Sequence, residues 1–115
     1  MNNTKSLEFF LHRQVECWNN SDKAGFLQCY KDIAPNGLSI EYVGQPSQDP
    51  WLMLEGMWRE QPNVRIDVVA CVVCGNESAS HHNNVRNNDN PGTRTLEFYT
   101  LKDGKLSARI FISNN

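Results

Sequence analysis

The sequence predicts an α+β fold, a mostly antiparallel sheet packed against three helices that lie in the N-terminal half. Three observations lead there. Apolar residues before position 60 recur at helical spacing in three segments, and those after position 64 fall into long β-rich runs. Asp103-Gly104 separates two such runs within Thr93 to Ser113, the composition of a tight type I′ hairpin turn.

Residues 6 to 19 carry Leu7, Phe10, Leu11, Val15 and Trp18 on one wide apolar stripe, with Ser6 as the expected N-cap. Asn19-Asn20 ends this helix. Ser21 or Asp22 caps a second, whose inner face is Phe26, Leu27, Tyr30 and Ile33, and Pro35-Asn36-Gly37 stops it. The two are expected to form a helical hairpin. Leu38 to Val43 alternates as a half-buried strand does, and Gln45 to Gln48 is a loop. Asp49-Pro50 then starts a third helix, because the Asp side chain can accept from the first free amides and proline has no N–H to leave unsatisfied. With Trp51, Leu52, Met53, Leu54, Met57 and Trp58, this helix is apolar nearly all round, so it should be covered or line a cavity. Pro62-Asn63 ends it.

Val64 to Cys74 reads as a long strand, apolar on both faces after Val68, which predicts a central position in a covered sheet. A Gly75-Asn76 turn follows. Glu77 to Val85 should be the return strand, yet it is polar on both faces, a local conflict. Asn83 to Gly92 is rich in turn formers and reads as a long surface loop or an extended hairpin tip. In the final hairpin a two-residue turn sets Tyr99 opposite Ala108, Glu97 opposite Ile110 and Thr95 opposite Ile112. Glu97 therefore stands among apolar neighbours, where an acid is paired, neutral or functional.

The 115 residues suit a single domain over 1–115, able to bury roughly two-thirds of its unfolded-chain surface. A net charge of -2 with no long basic run offers no footprint for nucleic acid or an anionic membrane. The N-terminus lacks an apolar leader core, and the longest apolar run, Val68 to Cys74, is too short to span a bilayer. A cytoplasmic protein is expected. Cys17, Cys29, Cys71 and Cys74 fall inside patterned elements and read as small buried residues in a reducing compartment. Cys71 and Cys74 with His81 and His82 do not read as a metal site, since strand residues three apart, and adjacent histidines, point to opposite faces.

Four segments carry a resemblance: Trp-Asn-Asn-Ser-Asp at 18–22, Gln61 to Val68, Cys74 to Ala79, and Thr95 to Leu106. Their order and spacing resemble the nuclear transport factor 2-like superfamily, and within it the SnoaL-like polyketide cyclase and ketosteroid isomerase branch. The resemblance implies a cone: a strongly curved sheet around an apolar pocket, dimerising through the other face of the sheet. It implies no cofactor. Glu97 falls at the position of a pocket acid that in the isomerases is kept protonated by its apolar site and donates to a developing oxyanion. Elsewhere the chain departs from the branch. Tyr42 stands where the isomerases have their general-base aspartate, Asn114 where the cyclases have an acid, and Thr95 where the epoxide hydrolases have arginine.

The candidate catalytic residues are thus Glu97, His82 and Tyr42. Glu97 is either a protonated pocket acid or a structural carboxylate bonded to a tyrosine, amide or arginine. By the resemblance, Ser80, His82 and Asn84 face the pocket and His81 faces outward. Trp51, Leu54, Trp58, Asn84, Tyr99 and Asn114 are the expected ligand contacts, the two tryptophans serving as pocket wall or as plain core. Leu96, Phe98 and Phe111 lie beside Arg109 on the other hairpin face, too apolar for a solvated surface, so that face reads as a homodimer interface with a Phe98–Arg109 cation–π contact. Three functions compete: a pocket binding a small apolar or aromatic molecule, an acid–base enzyme (cyclase, isomerase or hydrolase) on a hydrophobic carbonyl compound, and a protein-association module.

Overall fold

The computed structural model describes residues 3–86 and 91–113. Three helices and a five-stranded sheet follow in the order α1 (Asn3–Asn19), α2 (Lys23–Ile33), β1 (Gly37–Tyr42), α3 (Pro50–Glu60), β2 (Val64–Cys74), β3 (Glu77–Arg86), β4 (Thr93–Lys102) and β5 (Lys105–Ile112). The helix α1 begins three residues before Ser6, which is therefore inside it rather than its cap. Asp22 caps α2 by accepting from the Gly25 amide, and Asp49 caps α3 by accepting from the amides of Trp51 and Leu52. The third helix is less covered than its composition suggests, because Leu52 points away from the sheet and is 70% exposed.

The strand order is β1-β5-β4-β3-β2, with β1 parallel to β5 and the remaining pairs antiparallel. Asp103 and Gly104 have φ of 54° and 73°, the backbone that a type I′ turn requires. This turn fixes the expected register of Glu97 on Ile110, Tyr99 on Ala108 and Thr95 on Ile112. The sheet wraps its inner face onto the helices, and the core between them holds Leu7, Phe10, Trp18, Phe26, Tyr30, Leu54, Tyr99 and Leu106.

Two expectations are corrected in β2. It is an edge strand, not a central one, and Val68, Val69 and Val72 are exposed. The ladder with β3 slips between Val68 and Ala70, a bulge that exchanges the two faces of the strand. Beyond it Cys71 lies against Ser80, whose hydroxyl donates to its sulfur, while Val72 falls on the outer face beside Ala79 and Phe98. The apolar run therefore reflects an apolar outer surface rather than cover on both sides. Of the four cysteines only Cys17 is buried; Cys29 is half-buried, and Cys71 and Cys74 are exposed. Strand structure also reaches further than expected into the Asn83 to Gly92 stretch, since β3 continues to Arg86; residues 87–90 lie outside the described residues.

On the outer face Leu96, Phe98 and Phe111 are exposed, and Phe98 meets Phe111 edge-to-face at 5.8 Å. The guanidinium of Arg109 stands 5.5 Å over Phe111, not over Phe98, because it leans toward Glu41 on β1, with which it pairs at 3.1 Å. Among the described residues no helix is long and apolar enough to cross a membrane.

Candidate functional site

Between the helices and the concave face of the sheet lies a cavity of about 530 Å³. One wall is apolar, made by Met53, Leu54 and Met57 of α3 with Ile40 of β1 and Ala108 and Ile110 of β5. The facing wall is polar and comes from the segment whose composition conflicted with a strand. In β3 every second residue points inward, so Ser78, Ser80 and His82 are buried and Asn84 reaches the cavity. The polarity of that strand is thus the chemistry of the site. His81 faces outward, where its ring meets Arg94 at 3.2 Å.

His82 stands opposite Thr95 on β4, which makes Glu97, two residues along, its diagonal neighbour. Long side chains span that diagonal, and His82 Nδ1 lies 3.2 Å from Glu97 Oε2. The same oxygen accepts from Thr95 Oγ1 at 3.0 Å, and Oε1 accepts from the Tyr99 hydroxyl at 2.7 Å. Behind these, Asn84 Nδ2 donates to Thr95 Oγ1 at 3.1 Å, and Tyr30 hydrogen-bonds Tyr99. A chain of polar groups therefore converges on one carboxylate.

The charge state of that carboxylate differs from the one the resemblance implies. Burial pushes the Glu97 carboxyl up, but the hydrogen bond and charge of His82, with the bonds from Tyr99 and Thr95, outweigh it and hold the group below its ordinary range. That direction favours the ionised carboxylate over a protonated donor. The donors are the phenols: burial and then the Glu97 charge push Tyr42 up to about 12 and raise Tyr30 and Tyr99 as well, so all three keep their protons at neutral pH. The Tyr42 hydroxyl faces the cavity and, among the described residues, donates to the Met57 sulfur alone, 3.8 Å away. His82 Nε2 makes no hydrogen bond among the described residues.

Of the expected contacts, Leu54, Asn84 and Tyr99 line the cavity with Glu97, His82 and Tyr42. Trp51 and Trp58 do not. They lie roughly 130° around α3 from Met53 and Met57, and Trp58 packs instead on Trp18 at 4.2 Å and Phe26 at 5.5 Å. Asn114 lies outside the described residues. Gln14 went unrecognised in the sequence: it lines the cavity, is 3% exposed, and its amide has no partner among the described residues. The signal was present, because Gln14 occupies the place in the stripe 7, 10, 11, 14, 18 where an apolar residue belongs.

No family model matches the sequence, and neither does any curated protein. Solved structures do match. A protein from Kribbella flavida provisionally described as a ketosteroid isomerase superposes with a TM-score of 0.75 at 13% identity, covering 100% of this chain and 83% of its own. A protein from Agrobacterium tumefaciens provisionally described as an isomerase of the SnoaL-like family gives 0.74 at 11% identity, covering 96% of this chain and 99% of its own. A nuclear transport factor 2-like protein of unknown function from Mesorhizobium loti gives 0.73 at 16% identity, with 99% and 96% covered.

Proposed function

On the nuclear transport factor 2-like fold that this chain adopts, we propose that the cavity binds a small apolar or aromatic molecule. The carrying observation is the cavity itself, about 530 Å³ with one apolar wall and a compact polar cluster on the other, the usual make-up of a small-molecule site. The uncharged probe N-phenyl-1-naphthylamine is expected to bind saturably with a rise in fluorescence. Ala108→Phe, which projects a ring into the cavity, should abolish that binding, and Met57→Trp offers a second route to the same block. Equal binding by wild type and both filled variants would refute the reading.

A second reading, acid–base turnover of a hydrophobic carbonyl compound, is favoured by one specific observation. A buried ionised carboxylate held against His82 Nδ1 is costly to maintain in a simple apolar pocket, and it leaves Nε2 as the basic atom. In this reading His82 is the base, Glu97 orients it and balances its charge, and Tyr42 donates to the carbonyl oxygen. Deuterium exchange at the carbon beside a ketone measures it.

The exposed Leu96, Phe98 and Phe111 around Arg109 support pairing of two copies through the outer face of the sheet. Phe98→Lys, which sets a charge in that patch, should shift sedimentation to the monomer. A wild type that sediments as a monomer at every concentration would end this proposal. A reducing, cytoplasmic setting belongs to the same reading, supported by the exposed free thiols of Cys71 and Cys74.

A further inference from the structure

We propose that the cavity's ligand is an amphipathic monoanion, with an apolar body and a carboxylate-like group that docks on Arg86 at the cavity mouth. The proposal rests on the small-molecule reading above and narrows it to a chemical class. Arg86, Asn84 and His82 alternate along β3 in unbroken register with Val64, Ile66 and Val68 of β2, so their side chains leave the same face of the sheet. All three line the cavity. The ends of this row are four residue steps apart, about 13 Å at the usual rise. His82 at the inner end is 3% exposed, whereas Arg86 at the outer end is open to solvent.

The charges along the row are unequal. Among the described residues that line the cavity, the titratable groups are His82, Arg86 and Glu97 together with Tyr30, Tyr42 and Tyr99, whose phenols keep their protons at neutral pH. Glu97 already meets His82 at 3.2 Å, and Arg86 has no ion pair among the described residues. A neutral ligand filling the cavity offers that guanidinium no counter-charge. A planar monoanion matches its fork of donors and balances its charge. The rest of such a ligand has a place as well. Its body would lie on Met53, Leu54 and Met57, with Asn84 midway along its polar edge and its far end at His82.

Two probes that share one pair of ring systems isolate the anion: 8-anilinonaphthalene-1-sulfonate and the uncharged N-phenyl-1-naphthylamine. Titrating both into wild type and Arg86→Gln gives the ratio of sulfonate to neutral affinity, with Ala108→Phe subtracting any binding outside the cavity. The substitution is expected to lower that ratio about tenfold, the worth of one partly exposed charge-assisted contact, and Arg86→Lys to restore part of it. Added salt should lower the wild-type ratio and leave that of Arg86→Gln flat. A ratio that moves less than about threefold overturns the anion while the cavity reading stands. Binding of both probes that ignores Ala108→Phe removes the cavity reading, and the anion falls with it.

Discussion

His82→Leu is expected to destabilise the protein by about 3–5 kcal/mol, because it strands a buried carboxylate without the imidazole that faces it. The side chains of His82 and Glu97 are 4% and 12% exposed, so water cannot take the place of the lost partner. Glu97→Gln keeps the shape and can still accept from Tyr99 and Thr95, so it should cost only about 1–2 kcal/mol. The double variant should cost less than the sum of the two, with a coupling of about 1–3 kcal/mol as expected for groups in direct contact. Acid gives an independent reading with a defined sign. The Glu97 carboxyl in the folded protein is lowered from 4.5, so as pH falls the unfolded chain takes up the proton first. Its contribution is therefore complete above about pH 4.5 and is lost below it as pH drops through the folded value. Glu97→Gln should flatten that limb. In His82→Leu, burial is opposed by Tyr99 and Thr95 alone, so the carboxyl should rise above 4.5 and the variant should gain stability on mild acidification. Denaturant midpoints between about pH 2 and pH 7 measure all of this, and a His82→Leu midpoint equal to that of wild type would sink the buried-pair account.

The parts of this architecture legible in the sequence are those fixed by local chemistry. Asp103-Gly104 set the β4–β5 register because only a few residues tolerate two consecutive positive φ angles, and Asp49-Pro50 set the start of α3 to the residue. Contacts that depend on longer connections were harder to read. Six residues separate β3 from β4 in the sequence, so nothing local fixes which β3 residue stands near Glu97, and its neighbour decides whether it is charged or neutral. The placing of β2 failed for another reason. A continuous apolar run arises either from cover on both faces or from an exposed apolar face, and a bulge at Val69 leaves no mark in hydropathy. The tryptophans of α3 show the same degeneracy, since stacking on Trp18 and lining a cavity both call for a large ring. The polar composition of β3 was the most informative misfit: the pattern that argued against a strand is the inward row that builds the site.

If the site turns over carbonyl compounds, wild-type protein is expected to catalyse deuterium incorporation into 2-tetralone in deuterium oxide, followed by magnetic resonance. His82→Gln should slow this by about 10²–10⁴-fold, the usual worth of a positioned general base. In the forward step the Nε2 lone pair takes a proton from the carbon beside the carbonyl, and the electron pair of that C–H bond moves to the carbonyl oxygen as an enolate. The imidazolium so formed is balanced by Glu97 at 3.2 Å, which stays ionised throughout. The enolate oxygen needs a neutral donor, and Tyr42 keeps its proton because burial and the Glu97 charge push its phenol up to about 12. Its present acceptor, the Met57 sulfur at 3.8 Å, is weak and easily replaced by an enolate. Exchange of the imidazolium proton with solvent and return of a deuteron to carbon complete the cycle with no net change in bonds. Tyr42→Phe should therefore retain the base and lose the donor, lowering the rate by about 10–10²-fold, less than His82→Gln does. Glu97→Gln should fall between wild type and His82→Gln, since it keeps Nε2 but leaves its positive charge unbalanced. A rate that His82→Gln does not change would place proton abstraction elsewhere and leave the cavity as a binding site alone.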